Sequence, residues 1–488
     1  MNQHRHLLAV LLGLVTSLVA WGQASRPNLV IVLADDLGWG DLGCYNPDSK
    51  IPTPNLDRLA AQGLRFTDAH SPSAVCTPTR YGLLTGRYAW RSRLRSGVLW
   101  GYSPPLMEPD RLTLGSHLQS AGYATACIGK WHLGLGWPTR GKVSFGDGST
   151  PGADPAQVDY TRPFDSGPHT LGFGVSFILP ASLDMDPYLF VADGRVVVAP
   201  SGRVAASRSQ RQGGAGFWRE GPAAPGFTHE GVESQLLEQA EAFLRRQRPE
   251  RPFLLYLPLA SPHDPWVPRP EFRGRSRAGV RGDFVAQMDH TVGRLLATLD
   301  ATGLAGRTLV VFTSDNGAHW LPSEVAQTGH HANGPWRGMK SDAFEGGHRV
   351  PFLVRWPGVV TPGTTSDALV GLNDLAATAA EIVGAPLPAG AAGDSVSFLP
   401  ILRGQTPTVR DSLVLHSIQG TFVLRQGPWK LIEGPGSGGW SPADTNAAVQ
   451  LYHLGQDPGE TRNRASTEPE RVADLRARLS RIRLAEGN

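Results

Sequence analysis

Cysteine is scarce in this sequence, with three residues among 488. An odd number excludes a fully paired disulfide framework. Cys44 and Cys127 could form a disulfide, but without a disulfide-dense pattern the sequence favours two small buried side chains at these positions. Cys76 is the third cysteine, and its neighbours in the chain set it apart.

Long runs of one charge and long apolar runs are also missing. The 46 basic and 43 acidic residues are spread along the chain, which excludes a basic stripe for nucleic acid. One apolar stretch, residues 7–20, follows His4 and Arg5, is short for a bilayer span, and indicates a signal peptide over residues 1–24; an uncleaved anchor is the alternative. We therefore expect a secreted or periplasmic protein without stable membrane insertion.

Short apolar runs alternate with helical patterns along the chain. The runs that predict buried strands are residues 28–34, 124–129, 252–259, 308–313 and 350–356, and the helical patterns cover 55–62, 230–246 and 283–302. This alternation predicts an α/β fold whose large, mostly parallel sheet is sandwiched by helices. Stretches rich in Gly, Pro and Ser predict surface loops at 139–155, 201–226 and 434–444.

The pattern changes after residue 404. Short strands are predicted at 411–416, 421–425 and 428–432, followed by a basic amphipathic helix at 468–484. We therefore predict a catalytic α/β domain over residues 25–404. A smaller C-terminal α+β domain with a short antiparallel sheet would cover residues 405–488.

Ionisable side chains follow four of the predicted strands. They are Asp35 and Asp36, Lys130 and His132, His263, and Asp315 and Asn316. The carboxyl ends of parallel strands form the binding crevice in such folds, so we expect these groups at one edge of the sheet. Adjacent aspartates beside an Asp-Asn pair offer a hard oxygen cage for Ca²⁺ or Mg²⁺, although Asp35 and Asp36 could instead cap the next helix.

The strongest motif is Cys76-Thr77-Pro78-Thr79-Arg80 with its extension Leu84-Thr85-Gly86-Arg87. Through this motif the chain resembles the formylglycine-dependent sulfatases of the alkaline-phosphatase-like superfamily. Further matches in the same order cover nearly the whole mature chain: Leu33-Ala34-Asp35-Asp36-Leu37-Gly38, Gly129-Lys130-Trp131-His132-Leu133-Gly134, Ser314-Asp315-Asn316-Gly317, Glu345-Gly346-Gly347, Leu451-Tyr452-His453-Leu454 and Asp457-Pro458-Gly459-Glu460.

The resemblance implies a hydrolase that converts sulfate monoesters to an alcohol and inorganic sulfate. Cys76 would be converted to formylglycine by a formylglycine-generating enzyme, and one calcium ion would be held by an oxygen of residue 76 together with Asp35, Asp36, Asp315 and Asn316. By the same resemblance Lys130 and Lys340 hold sulfate oxygens and Arg80 steadies the modified residue. His263 would protonate the leaving alcohol, and His132 would take a proton from the hydrated aldehyde.

Two alternatives come from other functions. A phosphate or phosphonate ester hydrolase of the same superfamily would commonly use Thr or Ser and a second metal, whereas this chain has a Cys motif and ligands for one. An inactive glycan-binding relative would lack a lysine or histidine, and none is missing. We expect a sulfated carbohydrate rather than an aryl sulfate because a secreted enzyme meets extracellular polymers.

Other polar and aromatic residues near the motifs keep two interpretations, substrate contact or ordinary structural residue. They are Ser182, Asp184, Asp186, His319, His330, His331, His348, Trp100, Trp137, Trp266, Trp320 and Trp336.

Overall fold

A computed structural model of the protein describes residues 26–141, 155–212, 216–442 and 447–485. The predicted signal peptide, most of the predicted loop 139–155 and the last residue pair of the predicted loop 434–444 lie outside the described residues. Within the described part of the chain, no helix is both long and apolar enough to cross a membrane.

The helices are distributed along the whole described chain. They are α1 (Pro54–Ala61), α2 (Cys76–Thr85), α3 (Leu114–Ser120), α4 (Val232–Arg245), α5 (Gly279–Ala301), α6 (Pro322–Thr328), α7 (Glu345–His348), α8 (Leu375–Val383), α9 (Leu399–Leu402) and α10 (Pro469–Leu484).

The strands form one large sheet, one small C-terminal sheet and several two-stranded pairs. They are β1 (Asn28–Ala34), β2 (Leu64–Phe66), β3 (Ala69–His70), β4 (Ala124–Lys130), β5 (Val175–Leu179), β6 (Val191–Ala192), β7 (Arg195–Val196), β8 (Gly202–Val204), β9 (Ser207–Arg208), β10 (Phe217–Trp218), β11 (Gly221–Ala223), β12 (Phe253–Pro258), β13 (Thr308–Ser314), β14 (Phe352–Arg355), β15 (Thr364–Ser366), β16 (Val370–Gly371), β17 (Ser412–His416), β18 (Phe422–Gln426), β19 (Trp429–Ile432) and β20 (Gln450–His453).

The large sheet has the strand order β15-β2-β14-β13-β1-β12-β4-β5-β6-β7. Its centre, from β13 to β5, is entirely parallel, with Ile31 of β1 paired to Val311 on one side and to Tyr256 on the other. Alternate residues of β1 enter two separate apolar cores: Leu29 packs in one and Val30 in the other. The sheet is therefore covered by helices on both faces, which confirms the predicted α/β fold.

Several predicted boundaries are corrected by the structure. The predicted strand 350–356 is the shorter β14, and it runs antiparallel to β13. Helix α5 begins at Gly279 rather than at residue 283. Its first turn is anchored by the buried ion pair of Arg281 with Asp41, at 2.7 Å, and a polar anchor of this kind leaves no apolar periodicity in the sequence.

The described part of segment 201–226, which was predicted as a loop, contains two antiparallel pairs, β8 with β11 and β9 with β10. Three of these four strands are largely exposed, so they lack the alternation of apolar residues that identifies a half-buried strand. Cys44 and Cys127 are both free thiols, with Cys127 buried and Cys44 half-buried.

The C-terminal sheet has the order β17-β18-β19-β20 and is antiparallel throughout. Three of its strands match the predicted ones, whereas β20 overlaps the Leu451-Tyr452-His453-Leu454 motif and was not predicted as a strand. Helix α10 buries Leu475 and Leu479 in a core shared with Trp90 of the α/β part. The division of domains at residue 404 stays a prediction.

Candidate active site

Four polar side chains meet where β1 and β13 end side by side. Asp35 and Asp36 follow β1, and Asp315 and Asn316 follow β13, whose last residue pairs with Ala34. Asp36 has a left-handed φ of 64°, uncommon for a non-glycine residue. Asn316 Nδ2 donates to Asp36 Oδ1 at 2.7 Å, and the Asp36 amide donates to Asp315 Oδ1 at 3.2 Å. The predicted metal-binding residues are thus brought together in the interior.

Three buried cations face these carboxylates. Lys130 Nζ contacts Asp35, and Lys340 Nζ lies 2.8 Å from Asp36. The Arg80 guanidinium donates to Asp315 Oδ2 at 2.7 and 3.0 Å. Burial would raise the pKa of Asp36, but the nearby charges of Lys340 and then His263 outweigh burial and hold that pKa well below its usual range. We name these three carboxylates, three cations and Asn316 the active-site cluster.

Two acceptors in the active-site cluster have no hydrogen-bond partner among the described residues. They are Asp35 Oδ1 and Asn316 Oδ1, and both residues are fully buried. Burial and then the neighbouring Asp35 raise the pKa of Asp315, despite the opposing charge of Arg80. Oxygen atoms of Asp35 and Asp36 also lie within 4.8 Å of each other and of a His263 nitrogen. Unsatisfied hard oxygen donors of this kind fit a divalent cation such as Ca²⁺.

Cys76 is the first residue of α2, where the backbone amides and the helix dipole favour negative charge. Burial raises the pKa of the Cys76 thiol to about 11, although Lys130 and Lys340 act in the opposite direction. The unmodified thiol is therefore protonated near neutral pH. Arg80, one turn further along α2, also donates to the Lys130 backbone oxygen at 2.8 Å, which ties the helix to the end of β4.

The two candidate histidines are held with one ring nitrogen each engaged. His132 Nε2 lies 2.7 Å from the Leu99 carbonyl oxygen and donates to it, so Nδ1, which has no partner among the described residues, is left as an acceptor. Burial and the charge of Lys130 hold the pKa of His132 well below its usual range. His263 Nδ1 contacts the Asp264 carbonyl oxygen and lies 3.2 Å from Ser182 Oγ, while Nε2 lies 3.7 Å from Asp36.

The rim of the site contains residues that the sequence left undecided or did not indicate. Ser182 Oγ accepts from Lys130 Nζ at 3.1 Å, and Asp184 forms an ion pair with Arg219. His319 lies beside Trp440, with ring centroids 4.8 Å apart and the planes tilted by 54°. Trp440 falls in the predicted loop 434–444 and was missed, because a single tryptophan among glycines and serines carries no pattern of its own.

The other undecided residues lie away from the rim or inside the fold. His330 is buried and lies 2.8 Å from Asp41, His331 is exposed, and Trp137, Trp266 and Trp320 are buried. Trp100 and Trp336 are half-buried, under the guanidinium groups of Arg219 and Arg349 respectively. Asp186 lies beside Gly221 of β11, and burial raises the pKa of its carboxyl group.

A second buried charged group, which we name the interface cluster, joins the α/β part to the C-terminal sheet. Its members are Asp68, His70, Glu345, His348, Arg349, Arg425, Lys430 and Glu460. Lys430 Nζ lies 3.1 Å from Glu345, 2.8 Å from Glu460 and 3.1 Å from His348 Nε2. The motif residues Glu345 and Glu460 therefore hold the two parts together. A cleft of about 820 Å³ beside this cluster is lined by none of the candidate catalytic or metal-binding residues.

Comparison with known proteins decides the family. The sulfatase family profile matches residues 27–385, and a profile described as the C-terminal part of N-sulphoglucosamine sulphohydrolase matches residues 339–485. The chain belongs to the sulfatase family. Its members are sulfuric ester hydrolases, and this sulfatase accordingly hydrolyses sulfate esters.

Individual relatives of this sulfatase resemble it over most of their length. The N-acetylgalactosamine-6-O-sulfatase of Bacteroides thetaiotaomicron is 34% identical, over 95% of this chain and 94% of that protein. Human arylsulfatase A is 33% identical, over 93% of this chain and 86% of that protein. A solved structure described with glycosaminoglycan metabolism by Bacteroides thetaiotaomicron has a TM-score of 0.80 and 32% identity, covering 94% of this chain and 99% of that chain.

Proposed function

We propose that this sulfatase acts with residue 76 in its formylglycine form and with one Ca²⁺ ion. Asp35, Asp36, Asp315, Asn316 and an oxygen of residue 76 would hold the ion. The observation that carries this proposal is the pair of buried acceptors without a hydrogen bond among the described residues, Asp35 Oδ1 and Asn316 Oδ1, inside a cage of hard oxygen ligands. When bound, Ca²⁺ neutralises the carboxylates and draws charge from the sulfate oxygens.

The cations of the chain bind and orient the sulfate ester. Lys130 and Lys340 reach the carboxylates from two different elements, so their ammonium groups can bind sulfate oxygens on two sides of residue 76. Arg80 keeps Asp315 oriented through two hydrogen bonds to Oδ2. These charges stabilise the oxygens that gain negative charge as the S–O bond breaks.

The acids and bases divide the proton transfers between the two sides of the site. In its formylglycine form, residue 76 would supply, as the hydrate, one hydroxyl for attack on sulfur and a second hydroxyl whose loss of a proton lets sulfate leave as the aldehyde re-forms and is hydrated again. Asp315 would accept the proton of the attacking hydroxyl, and His263 would protonate the alcohol oxygen as its bond to sulfur breaks. His132 would accept the proton of the second hydroxyl.

Sulfated carbohydrate is the substrate class that we propose. The name of the N-acetylgalactosamine-6-O-sulfatase relative, similar over 95% of this chain, supports it, whereas the similarity to arylsulfatase A keeps aryl sulfates as the alternative. The apolar segment 7–20 supports a secreted or periplasmic location. The Cys76 motif supports maturation by a formylglycine-generating enzyme.

Replacement of Cys76 by Ser tests the proposal. Serine keeps one hydroxyl that can attack sulfur but lacks the second hydroxyl that expels sulfate, so the variant should stall with a sulfo group attached to residue 76. Intact-mass measurement should show the gain of that group after incubation with a sulfate ester, and at most one alcohol released per site. The wild-type protein should react with an aldehyde probe, and the variant should not.

Steady multiple turnover of a sulfate ester by the serine variant would refute the two-hydroxyl mechanism. Better turnover of a phosphate diester than of any sulfate ester would support the phosphohydrolase alternative, because such sites resolve a serine ester with metal-directed water.

A further inference from the structure

One large apolar side chain is left exposed beside a proposed sulfate-binding group. Trp440 is 45% exposed, and its ring lies 5.8 Å from Lys340 Nζ. Lys340 itself is buried and holds Asp36 at 2.8 Å. The indole therefore lies about one sugar ring away from the position where Lys340 would bind the sulfate.

The backbone that carries Trp440 is fixed to the residues that follow Lys340. The Trp440 amide lies 2.9 Å from both Ser341 Oγ and Asp342 Oδ1, and the Ser441 amide lies 3.1 Å from the same carboxylate oxygen. At Gly439 the contact is so close that a Cβ atom would lie 2.5 Å from the Ser341 carbonyl oxygen. An exposed ring on a fixed backbone loses little conformational freedom when a ligand covers it.

A histidine lies beside the indole. The ring centroids of His319 and Trp440 are 4.8 Å apart, with the planes tilted by 54°, and Arg211 Nη1 lies 3.2 Å from His319 Nε2. The guanidinium of Arg211 also donates to the His319 backbone oxygen at 2.7 Å. Trp440 therefore contacts a held imidazole and still remains 45% exposed.

An exposed indole beside a buried ammonium group fits a sulfated ring. The apolar CH face of a pyranose can pack on the indole while the sulfate on that ring reaches Lys340.

We infer that Trp440 is the platform on which the pyranose ring that bears the sulfate packs, and that it contributes to the choice of sulfated sugars. The inference rests on the proposed function of the Lys340 site. It assigns to a loop of the C-terminal sheet a direct part in substrate binding.

The test compares Trp440→Ala and Trp440→Phe with Trp429→Ala, a matched control that removes a half-buried tryptophan of β19. A panel of hexose and hexosamine monosulfates is first screened with the wild-type protein, and the best of them is used for all variants. We expect Trp440→Ala to raise KM for that sugar roughly 5- to 30-fold with little change in kcat, and Trp440→Phe to retain most of the affinity. Trp429→Ala should leave KM unchanged.

Inhibition by inorganic sulfate separates a platform from a structural role. Sulfate has no sugar ring, so its inhibition constant should be the same in Trp440→Ala and wild type. Equal weakening of sulfate and sugar would show that Trp440 only positions Lys340, and an unchanged KM for the sugar would also overturn the assignment. If the wild-type protein cleaves aryl sulfates but none of the sugars, both the proposed substrate class and the assignment of Trp440 as a sugar platform are refuted.

Discussion

The active-site cluster and the interface cluster are two buried charged groups of nearly the same composition. Each contains three carboxylates and three Lys or Arg cations. Side chains close enough to hold a metal ion are found in both places: His70, Glu345 and His348 in the interface cluster, and Asp35 and Asp36 of the active-site cluster with the neighbouring His263. The difference lies in how the charges are paired. In the interface cluster Lys430 Nζ lies 3.1 Å from both Glu345 and His348, so an ammonium group already fills the position of a cation.

Polar contacts in the interface cluster form a continuous chain. Lys430 Nζ lies 3.1 Å from His348 Nε2, His348 Nδ1 lies 3.0 Å from His70 Nδ1, and His70 Nε2 lies 2.8 Å from Asp68. Burial lowers the pKa of both imidazoles.

Both clusters contain acceptors that lack a hydrogen bond among the described residues: Glu345 Oε1 and Glu460 Oε1 in the interface cluster, and Asp35 Oδ1 and Asn316 Oδ1 in the active-site cluster. The difference is that Lys430 Nζ lies 3.1 and 2.8 Å from the two glutamate oxygens, whereas Arg80 is 3.7 Å from Asp35 Oδ1. Buried charge alone therefore does not identify a metal site; it also matters whether a side-chain cation already lies against the acceptors.

Removal of the metal ion should have the largest effect on activity and should act only on the active-site cluster. We expect thorough chelation to abolish turnover and addition of Ca²⁺ to restore it. The melting temperature should fall in the chelated protein, because a ligand at 100 times its Kd contributes about 2.7 kcal/mol of stability. If activity is unchanged in a sample that metal analysis shows to be free of the ion, the calcium assignment is wrong.

Replacement of Lys430 by Met should act on the interface cluster and on stability. The variant leaves Glu345 and Glu460 buried with less compensating charge, and breaking such a pair costs about 3–5 kcal/mol. Denaturant unfolding should show this loss. At a temperature where the variant is folded, kcat/KM should stay near the wild-type value. A large loss of kcat/KM with intact stability would mean that the interface cluster takes part in catalysis.

The sequence predicted the active-site cluster better than the interface cluster for a physical reason. Strand ends such as those of β1 and β13 are visible as apolar runs followed by polar residues, and parallel strands bring their ends to one edge. The interface cluster has no such signature. His70 lies in a two-residue strand and Lys430 in the C-terminal sheet, so their contact depends on tertiary packing.

The residues at the rim of the site could not be predicted from the sequence either. The position of Trp440 depends on a loop of the C-terminal sheet folding back onto Ser341 and Asp342, which are nearly a hundred residues earlier in the chain. No local pattern encodes that contact. The fold class was predictable because the alternation of strands and helices is local, but the antiparallel direction of β14 was not, since a buried apolar run is the same in either direction.

Replacement of Lys340 by Ala should act on catalysis. Loss of a charged group that stabilises developing negative charge should lower kcat/KM by about 2–4 kcal/mol of transition-state stabilisation, or roughly 30- to 1,000-fold. Because Lys340 also pairs with buried Asp36, stability should fall too, so kcat/KM is compared at a temperature where the variant is folded. Lys50→Ala is the matched control, because Lys50 is partly exposed and outside both clusters. If Lys340→Ala behaves like Lys50→Ala, Lys340 has no part in sulfate binding.

The smallest effect concerns Glu233, a buried carboxylate that belongs to neither cluster. Burial raises its pKa from 4.5 to about 7, opposed first by the Ser261 hydroxyl and then by the hydrogen bond that Thr291 Oγ1 donates at 2.6 Å. A folded pKa above the unfolded value means that the folded protein binds the proton more tightly. The stability contributed by the protonated form is therefore present below pH 4.5 and is lost as the pH rises through 7.

Glu233→Gln should remove this dependence, because the amide cannot ionise and can still accept from Thr291. The free energy of unfolding, measured in denaturant at pH 5 and at pH 8, should fall with pH by on the order of 2 kcal/mol more in the wild-type protein than in the variant. Other groups titrate equally in both proteins and cancel in the comparison. Parallel pH profiles for the two proteins would show that Glu233 stays ionised in the fold, and that burial without a neighbouring cation is tolerated here.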